Sequence, residues 1–288
     1  MDTHMVLRAV VGIVMSVVIL FFAGKRLWFL VRLARSGKPA VGRLLDAPKR
    51  VQAEAFEVLG QRKLLKWAVP GLAHVFAFWG FLVLSLTILE SFGALFVADF
   101  HIPIVGTWPV LGFAEDLFSV LVLVGIVIFA VIRITNNPSK RGRESRFFGS
   151  HTKGAWLILF MIFLVVATLF LYRGAQVNTG VFPFAGGGAF ASEWVGSLLA
   201  PLGETTNLWL ETIGIWGQVA VLLLFLLIVL HSKHLHIGAA TVNVYTSRRP
   251  NALGPLLPIY HDGEPVNFED PPDDAQFGKG HIADFTWK

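Results

Sequence analysis

The sequence predicts an all-α, polytopic membrane protein with five transmembrane helices. Three observations support this fold class. The 288-residue chain is 55% hydrophobic and only 15% charged, whereas soluble domains carry about 25% charged residues. The chain contains five long apolar stretches, and its Lys and Arg residues concentrate in alternate connecting segments. We therefore expect a helical bundle in a lipid bilayer rather than the core of a large soluble protein.

The five helices follow from uncharged stretches that are each close to the roughly 20 residues needed to cross a bilayer. The first stretch, 9–23, reaches that length if Arg8 and Lys25 extend to the two membrane interfaces. Basic residues follow it in place of a signal-peptide cleavage site. The other stretches are 67–89, 117–132, 154–172 and 212–230. The predicted transmembrane domain, 1–240, has helices at about 5–33, 67–92, 115–135, 154–173 and 211–238.

The distribution of basic residues predicts the orientation of the helices. Residues 34–66 carry eight Lys or Arg and residues 133–153 carry six, whereas 91–114 carries none and 173–211 carries only Arg173. Basic loops stay on the cytoplasmic side of a membrane. The N-terminus is therefore expected outside and the C-terminus in the cytoplasm, in a multi-pass protein of the plasma (inner) membrane. The net charge of +5 then faces anionic lipid, and no nucleic-acid partner is expected.

The segments outside the spans also have recognisable character. Residues 44–67 place apolar and charged residues at helical spacing, with Asp46 as a candidate N-cap, which predicts an amphipathic helix on the inner membrane surface. The outer segment 178–210 is rich in Gly and Phe and is expected to form a structured cap. Residues 241–288 form a cytoplasmic tail whose Pro, Gly and Asp content argues against a packed domain of its own.

Cysteine is absent from the chain, which excludes disulfides, thiolate metal sites and iron–sulfur clusters within these residues. Any such centre would belong to a partner or to sequence outside this chain. The chain also lacks the nucleophile elbow G-x-S-x-G, the phosphate-binding P-loop and zinc-site motifs. We therefore predict no catalytic residue of the kind that soluble enzymes use.

Histidines are the residues best suited to bind a cofactor here. His74 is the only histidine well inside an apolar stretch, and the sequence LHSKHLHIG places His231, His234 and His236 directly after the last stretch. Helix two starts on the cytoplasmic side, so His74 lies about 12 Å from that end at 1.5 Å per residue. Helix five ends on the same side. Because ionisable residues within membranes are usually functional, these histidines form the candidate site.

Histidines on two helices in the same half of the membrane suit a b-type haem, because imidazole nitrogens above and below the iron hold it between helices. Zinc would require three or four ligands, which the spans do not offer. Counted from Glu90 and Glu211 at the outer ends, His74 is 16 residues down, His231 is 20 and His236 is 25. Depth alone therefore favours His231 as the partner of His74, with His236 as the open alternative.

The stretches LAHVFAFWGF and SKHLHIGAATVNVYTSR, together with five helices and an outside N-terminus, resemble the gamma-subunit family of respiratory nitrate reductases. The resemblance is closer to the membrane cytochrome portion of heterodisulfide-reductase-like iron–sulfur proteins. These include the actinobacterial type that passes electrons from electron-transfer flavoprotein to menaquinone. The resemblance covers residues 5–250.

In that family, a Ser-basic-x-x-His-Ile pattern at the inner end of helix five supplies a haem ligand. Residues 232–237 match this pattern, which puts the ligand at His236, and the ligand on helix two matches His74. The resemblance therefore implies His74 and His236 as the metal ligands, with His231 in reserve and Lys233 in the cofactor-binding set.

Nitrate reductase gamma subunits also hold a second, outer haem, and the ligands of that haem would fall at Leu84 and Gln218. Neither residue can serve as a haem ligand of that kind. We therefore expect one haem b, on the cytoplasmic side of a haem-binding bundle.

The resemblance implies a membrane anchor and b-type haem electron-transfer module of an iron–sulfur oxidoreductase. Such a module passes electrons between a cytoplasmic donor and membrane menaquinone, with electron-transfer flavoprotein as a candidate donor acting through iron–sulfur clusters. The expected partners are a cytoplasmic iron–sulfur domain or subunit, to which the tail leads, together with quinone and lipid. The residues near the inner haem that suit a quinone site are Lys66, Trp67, Lys233 and His231.

The alternative is a haem-free membrane anchor or transporter-like bundle in which the histidines only brace helices. Transport would favour charged residues at the midplane or paired broken helices, and the predicted spans contain neither. Haem absorption separates the two interpretations.

Overall fold

The computed structural model describes residues 3–40, 44–150, 152–184, 186–247, 258–275, 277–278, 280–285 and 287. Regular structure in these residues is almost entirely helical. The α-helices are α1 (Thr3–Arg35), α2 (Ala47–Ala53), α3 (Ala68–Ala94), α4 (Pro109–Thr135), α5 (Pro138–Arg141), α6 (Thr152–Thr179), α7 (Phe190–Leu199), α8 (Glu204–Leu230) and α9 (His236–Tyr245). Short 3₁₀ turns lie at Leu64–Lys66, Gly142–Glu144, Ala200–Leu202, Lys233–Leu235 and Ile282–Asp284, and a π-helical turn at Glu54–Leu59. An antiparallel hairpin pairs β1 (Tyr260–His261) with β2 (Glu264–Pro265).

Five helical segments of the described chain are long and apolar enough to cross a membrane. They are Thr3–Arg35, Ala68–Ala94, Pro109–Glu144, Thr152–Thr179 and Glu204–Leu230. The all-α fold class with five membrane-spanning helices is thereby confirmed, and the chain is a multi-pass membrane protein. Its orientation and its residence in the plasma membrane stay predictions.

The helices extend further than predicted at the ends that the loop charges assign to the outside. α4, α6 and α8 each continue roughly two turns beyond the predicted bounds there. The charged residues that ended the predicted spans lie inside these helices and are buried. They can be buried because each forms an ion pair with a charged residue of a neighbouring helix. The opposite end of α8 is shorter than predicted, since the helix stops at Leu230 instead of continuing to 238.

The chain divides into two compact units, Met1–Ala23 with Gln61–Val229 and Gly24–Gly60 with Leu230–Lys288. The first unit contains most of each membrane-spanning helix, and the second contains α2, α9 and the tail. This division differs from the predicted boundary at 240, because α9 packs against α2 and the π-helical turn. Residues 248–257, 276, 279, 286 and 288 of the predicted tail lie outside the described residues.

Small residues bring the helices of the first unit together. A Cβ on Gly80 of α3 would lie 2.2 Å from the Val122 side chain of α4, and one on Gly214 of α8 would lie 2.9 Å from the backbone nitrogen of Tyr172 on α6. Close backbone approach through small residues is typical of packing between membrane helices. The apolar core beside these contacts contains Leu84, Leu95, Val122, Val166, Leu169, Ile215 and Val219.

A buried arginine organises the second unit. Arg50 of α2 is 3% exposed and donates to the backbone oxygens of Leu45 at 2.6 Å, Tyr245 at 2.5 Å and Ser247 at 3.0 Å. The side chain thereby joins α2 to the C-terminal end of α9. Asp46 occupies the predicted N-cap position of α2, but its side chain makes no cap hydrogen bond.

The tail residues of the second unit are tied to the end of α1 by backbone pairing. The nitrogen of Lys38 donates to the oxygen of Phe285 at 2.8 Å, and the nitrogen of Trp287 donates to the oxygen of Lys38 at 3.0 Å. Gly37 allows this approach, because a Cβ there would lie 2.7 Å from the Trp287 nitrogen. These bonds hold the described end of the tail beside the residues that follow α1.

Candidate functional site

His74 lies in the second turn of α3 and is half-buried. Its Nδ1 is 2.8 Å from Oε1 of the Gln61 amide. An amide oxygen only accepts hydrogen bonds, so Nδ1 of His74 is the donor in this contact. A histidine that ligates a metal through one nitrogen normally donates its other N–H to a carbonyl or carboxylate oxygen in this way.

The residue that orients His74 is held in an uncommon backbone conformation. Gln61 is buried, has φ 51°, and accepts at its backbone oxygen from the nitrogens of Leu64 and Leu65. A positive φ is unfavourable for a residue with a side chain, and such conformations cluster at functional sites. The 3₁₀ turn Leu64–Lys66, which follows Gln61, packs against the start of α3 at Gly71. Glycine is needed there, because a Cβ would lie 2.3 Å from the Leu64 oxygen.

The three clustered histidines do not share one continuous helix. α8 ends at Leu230, whose oxygen accepts from Nε of Arg26 at 3.2 Å. Ser232 is extended, and its Oγ accepts from the backbone nitrogen of His234 at 3.2 Å, so the serine caps a new 3₁₀ turn. The helix predicted to run to 238 is interrupted there for this reason.

His236 is the first residue of α9 and is exposed. Its Nδ1 lies 3.2 Å from the backbone oxygen of Lys233, so Nδ1 is the donor in this contact as well. The ring centroids of His234 and His236 are 6.0 Å apart. His74 belongs to the first unit, whereas His231, Lys233 and His236 belong to the second.

The remaining residues suggested for a quinone site are exposed on the surface of the protein. Lys66 ends a 3₁₀ turn and Trp67 occupies the N-cap position of α3, both exposed. The guanidinium carbon of Arg146 lies 4.2 Å from the centroid of a Trp67 ring, so the indole takes part in a cation–π contact. Lys233 is also exposed, and its backbone carbonyl carries the hydrogen bond from His236.

A buried ionic cluster, which we call the Arg173 network, lies at the end of the first unit opposite His74. Its members are Glu90 of α3, Glu115 and Asp116 of α4, and Tyr172 and Arg173 of α6. Arg173 donates to Glu90 at 2.9 Å, to Glu115, and to Asp116 at 3.4 Å. The Arg173 side chain is 1% exposed and those of Glu115 and Asp116 are fully buried. Such pairing offsets part of the cost of burying these charges.

Asp116 also caps the N-terminus of α7. It accepts from the backbone nitrogens of Ala191 and Ser192 and from Oγ of Ser192, each at 2.7 Å. A carboxylate at the first turn of a helix satisfies otherwise unpaired N–H groups and interacts favourably with the helix dipole. The Arg173 network therefore also fixes the outer segment against the spans.

A second buried ion pair joins the first and last spans. Nη1 of Arg8 on α1 lies 2.7 Å from Oε1 of Glu211 on α8, and the other Glu211 oxygen accepts from Thr179 at 2.8 Å. Trp216 of α8 donates to the backbone oxygen of Arg8 at 3.0 Å. These contacts explain why α1 and α8 remain helical through positions that the sequence analysis treated as span ends.

The positions that would bear an outer haem have other contacts. Leu84 lies in the apolar core, and Oε1 of Gln218 accepts a hydrogen bond from Thr168.

The buried charges of the two ionic clusters were not predicted from the sequence. Each stands at the edge of an apolar stretch, where a charge normally marks the membrane–water interface. The available signal was Arg173, the single basic residue in an outer segment otherwise without Lys or Arg.

The chain is a polytopic helical membrane protein with five apolar helices. One span carries a hydrogen-bonded histidine, and ionic clusters are buried between spans. The chain is 26% identical over 250 residues to the probable iron-sulfur-binding oxidoreductase FadF of Bacillus subtilis (strain 168), a match covering 82% of this chain and 31% of the relative. It is 26% identical over 251 residues to the EtfAB:quinone oxidoreductase of Syntrophomonas wolfei subsp. wolfei (strain DSM 2245B / Goettingen), covering 79% and 30%.

These matches indicate a distant relationship to oxidoreductases, and the chain spans 31% and 30% of the lengths of these two curated relatives. No family model matches the chain. No solved structure matches it either. The likeness to nitrate reductase gamma subunits and the presence of a cytochrome b stay predictions.

Proposed function

We propose that the chain is the membrane module of an iron–sulfur quinone oxidoreductase and holds one b-type haem through His74 and His236. One of the two relatives is a probable iron–sulfur-binding oxidoreductase and the other is an EtfAB:quinone oxidoreductase. Because this chain has no cysteine, the iron–sulfur clusters of such an enzyme would lie outside these residues, in a cytoplasmic domain or subunit. Five membrane-spanning helices suit the quinone end of that reaction.

The observation that carries the haem proposal is the hydrogen bonding of the two histidines. Nδ1 of His74 faces the Gln61 amide oxygen and Nδ1 of His236 faces the Lys233 carbonyl. In both imidazoles Nδ1 is paired with a carbonyl-type oxygen, which is the arrangement typical of histidines that ligate a metal through Nε2, so the residues present fit the group. When bound, a haem supplies reversible one-electron transfer. His231 stays the reserve ligand.

The chain's own residues have distinct tasks in this proposal. Gln61 fixes the tautomer and ring orientation of His74, and Lys233 does the same for His236 through its carbonyl. Arg50 holds the far end of the helix that His236 begins. Lys66, Trp67, Lys233 and His231 stay the proposed quinone-site residues. Menaquinone as substrate, electron-transfer flavoprotein as donor and residence in the plasma membrane among lipid are parts of the same proposal.

One structural finding favours the alternative of a haem-free, transporter-like bundle. The spans were predicted without charged residues, but the Arg173 network and the Arg8–Glu211 pair place buried ionisable groups inside spanning helices. Ionisable groups in spans mark ion pathways as well as structural contacts. The decision between the two functions therefore depends on direct detection of haem.

A dithionite-reduced minus oxidised absorption spectrum, with haem quantified per chain, tests the proposed function. The purified wild-type protein should contain about one b-type haem. His74→Ala and His236→Ala should each lose it, whereas His101→Ala, at an exposed loop histidine, should retain it. Loss with His231→Ala in place of His236→Ala would reassign the second ligand. A folded wild-type protein that binds no haem would contradict the proposal and favour the haem-free bundle.

Gln61→Leu should weaken haem binding while leaving the protein folded. The substitution removes the acceptor of the His74 Nδ1 proton, and loss of such a supporting hydrogen bond typically costs about 10–100-fold in affinity. The rate at which the protein transfers its haem to an excess of apomyoglobin measures the effect. Gln52→Leu, at an exposed position of α2, is the matched control and should leave the rate unchanged. Equal rates for the two variants would show that Gln61 does not support a haem ligand.

A further inference from the structure

The Arg173 network holds more buried negative charge than positive charge. Arg173 faces three carboxylates, and the side chains of Glu90, Glu115 and Asp116 are 6%, 0% and 0% exposed. With Tyr172, these are the titratable groups that interact across α3, α4 and α6. With every carboxylate ionised, the cluster would carry a net charge of −2 in a water-poor interior, which is strongly unfavourable.

Asp116 is the carboxylate of the network with the most hydrogen bonds. Its two oxygens accept three hydrogen bonds from α7 at 2.7 Å, in addition to the contact with Nη1 of Arg173. The side-chain hydrogen bonds of Glu90 and Glu115 in the described residues are those from Arg173. These two glutamates are therefore the less well supported acids of the network.

Glu90 and Glu115 compete for one nitrogen atom. Oε2 of each accepts from Nη2 of Arg173, and Oε1 of each is buried with no hydrogen-bond partner among the residues that the structure describes. Two carboxylates that share one site do not both ionise readily, because their charges repel. One proton held by the pair removes a negative charge and makes one of the unpaired oxygens a donor.

A buried hydroxyl interacts with the same charged groups. Tyr172 is 2% exposed, and its hydroxyl interacts with Arg173, Glu90 and Glu115 but makes no hydrogen bond of regular geometry in the described part of the chain. A guanidinium only donates, whereas a phenolic oxygen can both accept and donate. Arg173 therefore offers the Tyr172 hydroxyl proton no acceptor, and this buried donor is a second indication that the cluster takes a ligand.

The chemistry of the cluster favours a proton over a metal cation. A cation would have to sit next to the guanidinium that already occupies the Oε2 side of both glutamates. Among the described residues, no group of three or more His, Cys, Asp or Glu is arranged to hold a metal ion. A proton needs no coordination shell and fits between paired carboxyl oxygens.

An aromatic residue that contacts the cluster also lines a cavity. The Phe184 and Phe182 ring centroids are 5.1 and 5.9 Å from the guanidinium carbon of Arg173. Phe182 also lines a cavity of about 190 Å³ together with Val177, Gly180, Gly186 and Glu193. Phe182 therefore adjoins both the cavity and the Arg173 network.

We propose that Glu90 and Glu115 bind one shared proton next to the Tyr172 hydroxyl, and that the pair exchanges this proton through the Phe182 cavity. The site is a proton-binding site in the membrane-spanning unit. It goes beyond the electron-transfer proposal and does not depend on it, because it rests on the Arg173 network and the cavity beside it. Its reaction is only the reversible protonation of a carboxylate.

Infrared spectroscopy of the full chain in lipid vesicles tests this proposal directly. Near neutral pH, the wild-type protein should show the carbonyl stretching band of a protonated carboxylic acid, with the downshift in D₂O that an exchangeable proton produces. Glu90→Gln and Glu115→Gln should each abolish the whole band, because the remaining glutamate then no longer shares Nη2 of Arg173 with a second carboxylate. Glu204→Gln, at an exposed acid beginning α8, should leave the band unchanged.

The wild-type spectrum decides the proposal even where a variant fails to fold. Absence of a protonated carboxyl band near neutral pH would overturn the proposal, as would a band that survives both glutamine substitutions. Loss of the band in only one of the two variants would overturn the sharing of the proton. A band that emerges only when sodium ions are removed would assign the site to a cation. Haem content bears on none of these outcomes.

Discussion

Arg173→Gln should destabilise the protein by about 3–5 kcal/mol, the cost typical of removing one partner from a buried ionic cluster. Arg173 contacts three carboxylates from α3 and α4 and is 1% exposed. Without the guanidinium, these acids face one another in the interior with no basic group among the network's members. Denaturant unfolding of the protein in detergent micelles, followed by circular dichroism, measures the change.

Two further variants separate the ionic mechanism from simple loss of packing. Adding Glu115→Gln to Arg173→Gln should recover part of the stability, because it removes one of the unpaired charges. Arg143→Gln, at an exposed position, should change the free energy of unfolding by less than about 0.5 kcal/mol. If Arg173→Gln and Arg143→Gln gave the same small change, the buried network would not be a stabilising element of the fold.

Arg50→Met should release α9 from the second unit. The guanidinium donates to three backbone oxygens, those of Leu45, Tyr245 and Ser247, and hydrogen bonds that involve a charged group contribute about 1.5–3 kcal/mol each. A loss of about 3 kcal/mol in local stability corresponds to roughly 100-fold faster amide exchange. Hydrogen–deuterium exchange followed by mass spectrometry over 236–247 measures this rate.

The matched control for Arg50→Met is Lys49→Met, at the neighbouring exposed position of α2. It should leave the exchange of 236–247 unchanged. Because α9 begins at His236, Arg50→Met should also weaken haem retention if His236 is a ligand. Unchanged exchange in Arg50→Met would show that α9 is held by its apolar contacts, and that Arg50 has no positioning role.

The five spans were predictable because the signal is local. A stretch of apolar residues long enough to cross a bilayer specifies a helix without reference to the rest of the chain. The ends of the spans were not predictable, because their charges are neutralised by residues far away in sequence. Glu90 and Arg173 are 83 positions apart, and Arg8 and Glu211 are 203 apart.

The candidate site shows the same contrast. His74 was recognisable as a histidine inside an apolar span, but the Gln61 amide that orients it stands in a polar connecting segment with nothing to mark it. The break after α8 did have a local signal, because Ser232 is a residue type that commonly caps helices. The apolar run before it and the histidines after it suggested a longer helix, and the cap was overlooked.

The order of synthesis gives the Arg173 network a consequence for biogenesis. Spans enter the membrane in chain order, so the acids of α3 and α4 arrive before the arginine of α6, which lies 58 residues after Glu115. An ionised acid is costly to place in an isolated span. Glu90 and Glu115 lie within about two turns of a helix end and not at its centre, where that cost is largest. The arrival of α6 supplies the missing positive charge, so a fragment that ends before α6 should be integrated less stably than one that includes it.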